Sequence, residues 1–215
     1  MVSVGKETVR SSPLLLIFSQ TFVPDPASVG QHMADVAVAM AGRGHRVRVY
    51  ASGRGYDDPT AVYPRRENIG GADVRRLPFS SFGKRSIFTR VAGTFTFMCQ
   101  ALAVGLFTPG VGGIFFSTSP PLIGVVACVI GMVRRVPVAY WAMDLNPDQL
   151  IAMKKVKAGS LTARFLEAVN RWILRRAALV VALDRFMAER LRARVDLGDR
   201  LLVMPPWPQD RKSVV

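Results

Sequence analysis

Cysteine is scarce in this chain of 215 residues. Cys99 and Cys128 each stand in apolar surroundings and no CxxC pair occurs, so a disulfide framework and a zinc site both lack ligands. No metal site is expected, and a reducing, cytoplasmic setting is. Acidic residues are also few: 15 Asp and Glu stand against 29 Lys and Arg, giving a formal charge of +14. That excess favours phosphate-bearing partners, whether nucleic acid, lipid headgroups or a phosphorylated substrate, without choosing among them. No nucleic-acid recognition motif is present, and basic residues interleave with aromatics only from Phe79 to Arg90, so nucleic acid is not the expected partner. The opening MVSVGKETVRSSP, residues 1–13, is a polar leader without the long apolar run of an export signal.

Charge is missing altogether from Val91 to Val133, 43 consecutive residues without Asp, Glu, Lys, Arg or His. Such a run fits either a membrane hairpin or the buried core of an α/β domain. Thr108 to Gly113 breaks it with Pro109 and three glycines, and Leu122 to Val133 is short of the roughly 20 apolar residues a spanning helix needs. The buried core is the expected reading, with Val91–Phe107 a largely buried helix; contact with a membrane surface stays open.

What is present is an alternation of apolar runs and helical patterns. Leu14 to Ser19 reads as a first buried strand, followed by a loop containing Pro24 and Pro26. Ser28 and Gln31 have capping-box spacing, and Met33, Val36, Ala37 and Met40 follow on one helical face. His45–Tyr50 alternates as a second strand, completing a βαβ unit. A polar loop spans Ala51 to Glu67, and Ala72–Leu77 is a short strand. Further strands are expected at Gly113–Phe116, Pro137–Ala142, Ala178–Leu183 and Leu201–Met204. Helices are expected at Leu122–Arg135, at Leu161–Arg176, and from Asp184 through Arg194. In the second of these Leu161, Phe165, Val169, Trp172 and Ile173 share an apolar face, and Arg164, Arg171 and Arg175 a basic one, which suits solvent or an anionic surface. Strand and helix alternating throughout predict an α/β fold, one Rossmann-like doubly wound domain with a mostly parallel sheet.

Such sheets bind ligands outside the carboxyl ends of their strands. The first loop qualifies: Ser28 and Val29 open a helix whose free amides can meet an anion or sugar. The dinucleotide fingerprint GxGxxG is absent, so Gly30 more simply admits a ligand or a neighbouring backbone at close range. His32 lies off the helix's apolar stripe; it faces either the crevice or, by default, solvent. Ser117 and Ser119 reach the same edge as hydrogen-bonding groups or helix caps. The stretch VPVAYWAMDLNPDQ carries a buried strand into Asp144, with Asn146 and Pro147 resembling a helix N-cap and first turn. Asp144 is either a site carboxylate or a brace of that turn.

Five segments in order carry a family resemblance: VGQHMADVAVAMAGRGHRVRVY (29–50), FFSTSPPL (115–122), AYWAMDLNPDQ (139–149), RRAALVVALDRFMAERL (175–191) and LLVMPPWP (201–208). Together they resemble the amino-terminal half of family 4 glycosyltransferases, nearest to bacterial enzymes that build lipid-linked oligosaccharides and surface polysaccharides. The resemblance covers nearly all of residues 14–208. It implies a GT-B fold and transfer of a sugar from a nucleotide sugar, the co-substrate, to an acceptor held by this half, with no cofactor or required metal. Ser28, Val29 and Gly30 would then lie near the donor diphosphate or acceptor, and Asp144 would line the acceptor side.

One departure is large. The family's donor domain and its paired glutamates have no counterpart among Glu7, Glu67, Glu167 and Glu189. Residues 209–215 fall where the family crosses to its second domain. The expectation is an acceptor-binding half, inactive alone, that works with a donor-domain polypeptide on a sugar or lipid-linked acceptor at the inner membrane face. A noncatalytic module that docks to a membrane or partner is the alternative.

Overall fold

The computed structural model describes residues 12–55, 58, 60–80, 87–145 and 148–207. The expected leader up to residue 11, the basic residues Lys84 and Arg85, the Asn146–Pro147 cap and the tail 209–215 lie outside the described residues.

Strand β1 (Leu14–Phe18) leads through helix α1 (Ser28–Gly42) to β2 (Arg46–Ser52), then to β3 (Arg66–Ile69) and β4 (Ala72–Leu77). Helix α2 (Ile87–Phe107) returns the chain to β5 (Val111–Phe116), followed by α3 (Ile123–Arg134) and β6 (Val138–Ala142). The short α4 (Asp148–Ala152), α5 (Leu161–Arg176), β7 (Leu179–Ala182), α6 (Arg185–Arg194) and β8 (Leu201–Val203) complete the fold. Among the described residues the eight strands form one sheet in the order β3-β4-β2-β1-β5-β6-β7-β8, parallel except for β3 against β4. The α/β, mostly parallel, doubly wound fold expected from the sequence is the one observed.

Apolar residues on both strand faces are what permit this arrangement, because helices cover the sheet from both sides. Successive side chains alternate between the two layers. Phe18, Phe116 and Tyr140 point into the layer of α2, α3 and α5, where Phe116 and Tyr140 stack at 4.8 Å. Ile17, Phe115 and Trp141 point into the opposite layer, against Met33 and Ala37 of α1.

Several expectations need correction. The polar stretch 51–67 ends in β3, which pairs antiparallel with β4 through a turn where the Gly71 amide donates to Asn68 Oδ1 at 3.0 Å. The capping box at Ser28 does not form: Ala27 is the N-cap, its amide donates to Asp25 Oδ1 at 3.1 Å, and Gln31 Nε2 reaches the Pro26 carbonyl instead. Pro26 and the Asp25 turn start the helix one residue earlier than the Ser–Gln spacing implies. On α5, Ser160 caps the first turn, but Leu161 and Phe165 are exposed; the buried face runs through Ala163, Asn170, Ile173 and Leu174.

Helix α2 departs most. Only a narrow face is buried, with Gly93, Phe97, Ala101 and Gly105 recurring every fourth residue. Phe88, Val91, Phe95 and Phe107 are 80, 61, 65 and 84 % exposed. An uncharged helix carries no polar residues to mark its outer side, so composition alone misassigned it. Cys99 shares that outer side, whereas Cys128 is buried and burial pushes its thiol up to about 12.

Candidate functional site

The strand order reverses between β1 and β5: the chain winds outward through β2 and β4, then crosses back to pair β5 with β1. At such a switch point the loops leaving adjacent strands diverge and open a crevice at the carboxyl edge. The loop after β1 and the loop after β5 meet there directly. The Gln20 amide donates to the Ser119 carbonyl at 3.1 Å, and the hydroxyls of Thr21 and Ser119 lie 3.4 Å apart.

Nearly every polar group in this floor is engaged. Gln20 Nε2 donates to the Ser80 carbonyl at 2.7 Å, and the Ser52 amide donates to the Gln20 carbonyl at 2.9 Å, binding the ends of β2 and β4 to the first loop. Arg76, buried on β4, donates to the carbonyl of Val23 at 2.5 Å and that of Ser52 at 3.4 Å, and pairs with Glu67. Gly30 belongs to the same packing: a Cβ there would sit 2.9 Å from the Phe22 nitrogen, so the close neighbour is the chain's own loop backbone.

Asp144 sits two residues beyond β6, half-buried. Thr118 Oγ1, beyond the end of β5, donates to Asp144 Oδ2 at 2.9 Å and fixes the carboxylate against the neighbouring loop. Beneath them a mostly apolar cavity of about 110 Å³ is lined by Phe116, Ser117, Leu122, Tyr140 and Ile173, among others. Ser117 is fully buried in that wall, and its hydroxyl has no hydrogen-bond partner. Burial, reinforced by the Asp144 carboxylate, raises the Tyr140 phenol far above its ordinary range, so Tyr140 stays neutral. A larger depression of about 410 Å³ opens between α4, α5 and α6. Its Asp148 already pairs with Arg190 and Arg194, which leaves the switch-point edge as the better candidate.

The other expected residues fall along α1. Ser28 is exposed and Val29 half-buried in its first turn. His32 is not a surface residue: it is 7 % exposed and packs against Trp141 at 5.9 Å and Trp207 at 5.3 Å. Burial lowers its pKa, an effect that nearby Asp35 opposes. Trp207 Nε1 donates to Asp35 Oδ2 at 2.8 Å, so the chain leaving β8 is clasped onto α1. Thr118, Arg76 and Trp207 were not singled out from the sequence. Thr118 stood there between the two serines that were, and Trp207 within the segment LLVMPPWP. Among the described residues no three His, Cys, Asp or Glu side chains gather closely enough to hold a metal ion.

A family model described as "Glycosyl transferase 4-like domain" matches residues 28–207. The chain belongs to that family. No curated protein matches it significantly by sequence. Among solved structures it is similar to Anabaena Alr3699/HepE in complex with UDP and glucose, with TM-score 0.54 and 13 % identity over 90 % of this chain and 44 % of that one. A sucrose-phosphate synthase from Thermosynechococcus elongatus gives TM-score 0.55 and 12 % identity over 90 % and 89 %. LpCGTa in complex with UDP gives TM-score 0.56 and 11 % identity over 92 % and 53 %. At these identities the likeness is one of fold, and that fold is half of a GT-B glycosyltransferase. The glycosyl transferase 4-like chain spans less than half the length of the HepE chain it matches.

Proposed function

We propose that this glycosyl transferase 4-like domain is the acceptor-binding half of a nucleotide-sugar-dependent glycosyltransferase, acting on a lipid-linked or polysaccharide acceptor and turning over only together with a nucleotide-binding half. The observation that carries the reading is the Thr118–Asp144 hydrogen bond, which holds a half-buried carboxylate at the carboxyl edge of the sheet, beside a floor whose polar groups are largely engaged. The family membership and the UDP named with two similar structures support the reaction class.

On this reading an acceptor hydroxyl lies against Asp144. Asp144 takes the hydroxyl proton while the oxygen forms a bond to the anomeric carbon of the donor and the nucleoside diphosphate departs. A positioned general base supplies roughly 10²–10⁴-fold in rate. The first turn of α1, with the exposed Ser28 and the half-buried Val29, faces the anionic part of the donor or acceptor, where the helix dipole favours negative charge.

The test is Asp144→Asn in the complete enzyme, with folding checked by circular dichroism. A fall in kcat of about 10² or more is expected; near-normal turnover by a folded variant refutes the role.

A further inference from the structure

Ser117 is a buried polar residue for which sugar transfer at Asp144 has no use. It directly follows β5, is 0 % exposed, and its hydroxyl has no hydrogen-bond partner among the described residues. Burying a hydroxyl unpaired costs free energy, so its place calls for a reason. The cavity of about 110 Å³ beside it supplies one, because Ser117 is part of its wall. The exposed Pro121 and Leu122 also line it, which puts its mouth at the surface.

The chemistry of that cavity narrows what can enter. Phe116, Leu166, Val169 and Ile173 make the wall mostly apolar, and no charged side chain is among its described lining residues. A phosphate or carboxylate therefore finds no counter-charge there. The volume is that of about three to four waters at roughly 30 Å³ each, far too small for a lipid chain. What fits is a neutral group of a few atoms that joins one hydrogen-bond acceptor to a methyl. Its position says which molecule would bring that group. Thr118, the next residue, also lines the cavity and donates to Asp144 Oδ2 at 2.9 Å, so the cavity adjoins the carboxylate that meets the acceptor.

We infer that the cavity receives the acetamido group of an N-acetylated acceptor sugar: the methyl packs among Phe116, Val169 and Ile173, and Ser117 Oγ donates to the amide carbonyl. The inference rests on the acceptor-binding reading and names the acceptor's chemical class. Ser117 sets specificity in it and takes no part in proton transfer. A sugar with a plain hydroxyl in place of the acetamido group leaves the apolar wall unfilled, and a deoxy sugar's methyl leaves Ser117 unpaired.

The test is saturation-transfer NMR on this chain with N-acetylglucosamine and N-acetylgalactosamine, set against glucose, galactose and fucose. At least one acetamido sugar is expected to bind, with its acetyl methyl the most strongly saturated group. The parent sugar and fucose are expected to bind about tenfold more weakly or worse. Ser117→Ala is expected to weaken binding about fivefold, the worth of one hydrogen bond, and Val169→Phe, which fills the cavity, to abolish it. Without ligand, Ser117→Ala is expected to be at least as stable as wild type, since it removes an unpaired buried hydroxyl; a serine that braces the fold would lower Tm instead. Binding of neither acetamido sugar overturns the inference and leaves the cavity to water. Equal binding of the parent sugar or fucose, unchanged binding by folded Ser117→Ala or Val169→Phe, or a lower Tm for unliganded Ser117→Ala overturns it as well. These readouts need no turnover, so the cavity's role and the role of Asp144 in the complete enzyme fail separately.

Discussion

The Thr118 hydroxyl, at the end of β5, donates to the Asp144 carboxylate beyond β6 at 2.9 Å, joining two residues 26 positions apart. Thr118 is therefore a positioning residue for the proposed base. Thr118→Val keeps the shape and removes the donor. In the complete enzyme it is expected to lower kcat about tenfold to a hundredfold at little change in KM, matching the 1.5–3 kcal/mol of a hydrogen bond to a charged group. Thr118→Ser is expected to restore most of the rate. Steady-state kinetics separating kcat from KM checks both.

Arg76 ties the first loop to β2 and β3. Arg76→Met leaves Glu67 without its partner and strips donors from the Val23 and Ser52 carbonyls. Removing one member of a buried pair costs about 3–5 kcal/mol. Urea unfolding is the measurement, and a loss below about 1 kcal/mol would sink the account, being the size expected of an exposed pair.

His32 makes stability depend on pH. Its folded pKa lies below the ordinary value of 6.5, so the unfolded chain binds the proton first as pH falls. The His32 contribution is fully present above pH 6.5, and it is lost as pH drops from there to the depressed folded value. The denaturant midpoint should therefore fall between pH 7.5 and 5.5, and His32→Phe should flatten that part of the profile. An unchanged slope in the variant would remove His32 as the source.

Gly42 of α1 and Gly105 of α2 should respond oppositely to alanine. Gly105→Ala drives a methyl into Ile130 and Phe18 and is expected to cost about 1–3 kcal/mol. Gly42, at the end of α1, has nothing within 4 Å of its Cβ position, so Gly42→Ala is expected to be neutral or to stabilise by up to about 1 kcal/mol. Thermal unfolding of the two variants side by side distinguishes them.

Much of the fold was legible because buried parallel strands announce themselves as continuous apolar runs. Strand β4 and helix α5 fall at the expected residues, and the other strands shift by one to a few. Strand β3 was not legible: Arg66-Glu67-Asn68-Ile69 offers one apolar residue, and only the pairing with β4 makes it a strand. The burial of His32 was hidden for a different reason. Its wall is built by Trp141 and Trp207, distant in sequence, so helical periodicity within α1 could not reveal it. The Thr118–Asp144 bond likewise depends on β5 and β6 being neighbours, a fact of topology that neither segment carries by itself. Helix α2 failed in the other direction, since apolar composition does not say whether protein or something else lies on its outer side.

The two margins of the sheet have a bearing on how this domain survives in a crowded cell. On one side β3 shows Arg66 and Asn68 to solvent; on the other β8 offers only three residues. Neither margin is long and apolar enough to recruit a foreign strand by main-chain hydrogen bonding. Growth by strand addition at either margin, the route to fibrils, is therefore disfavoured.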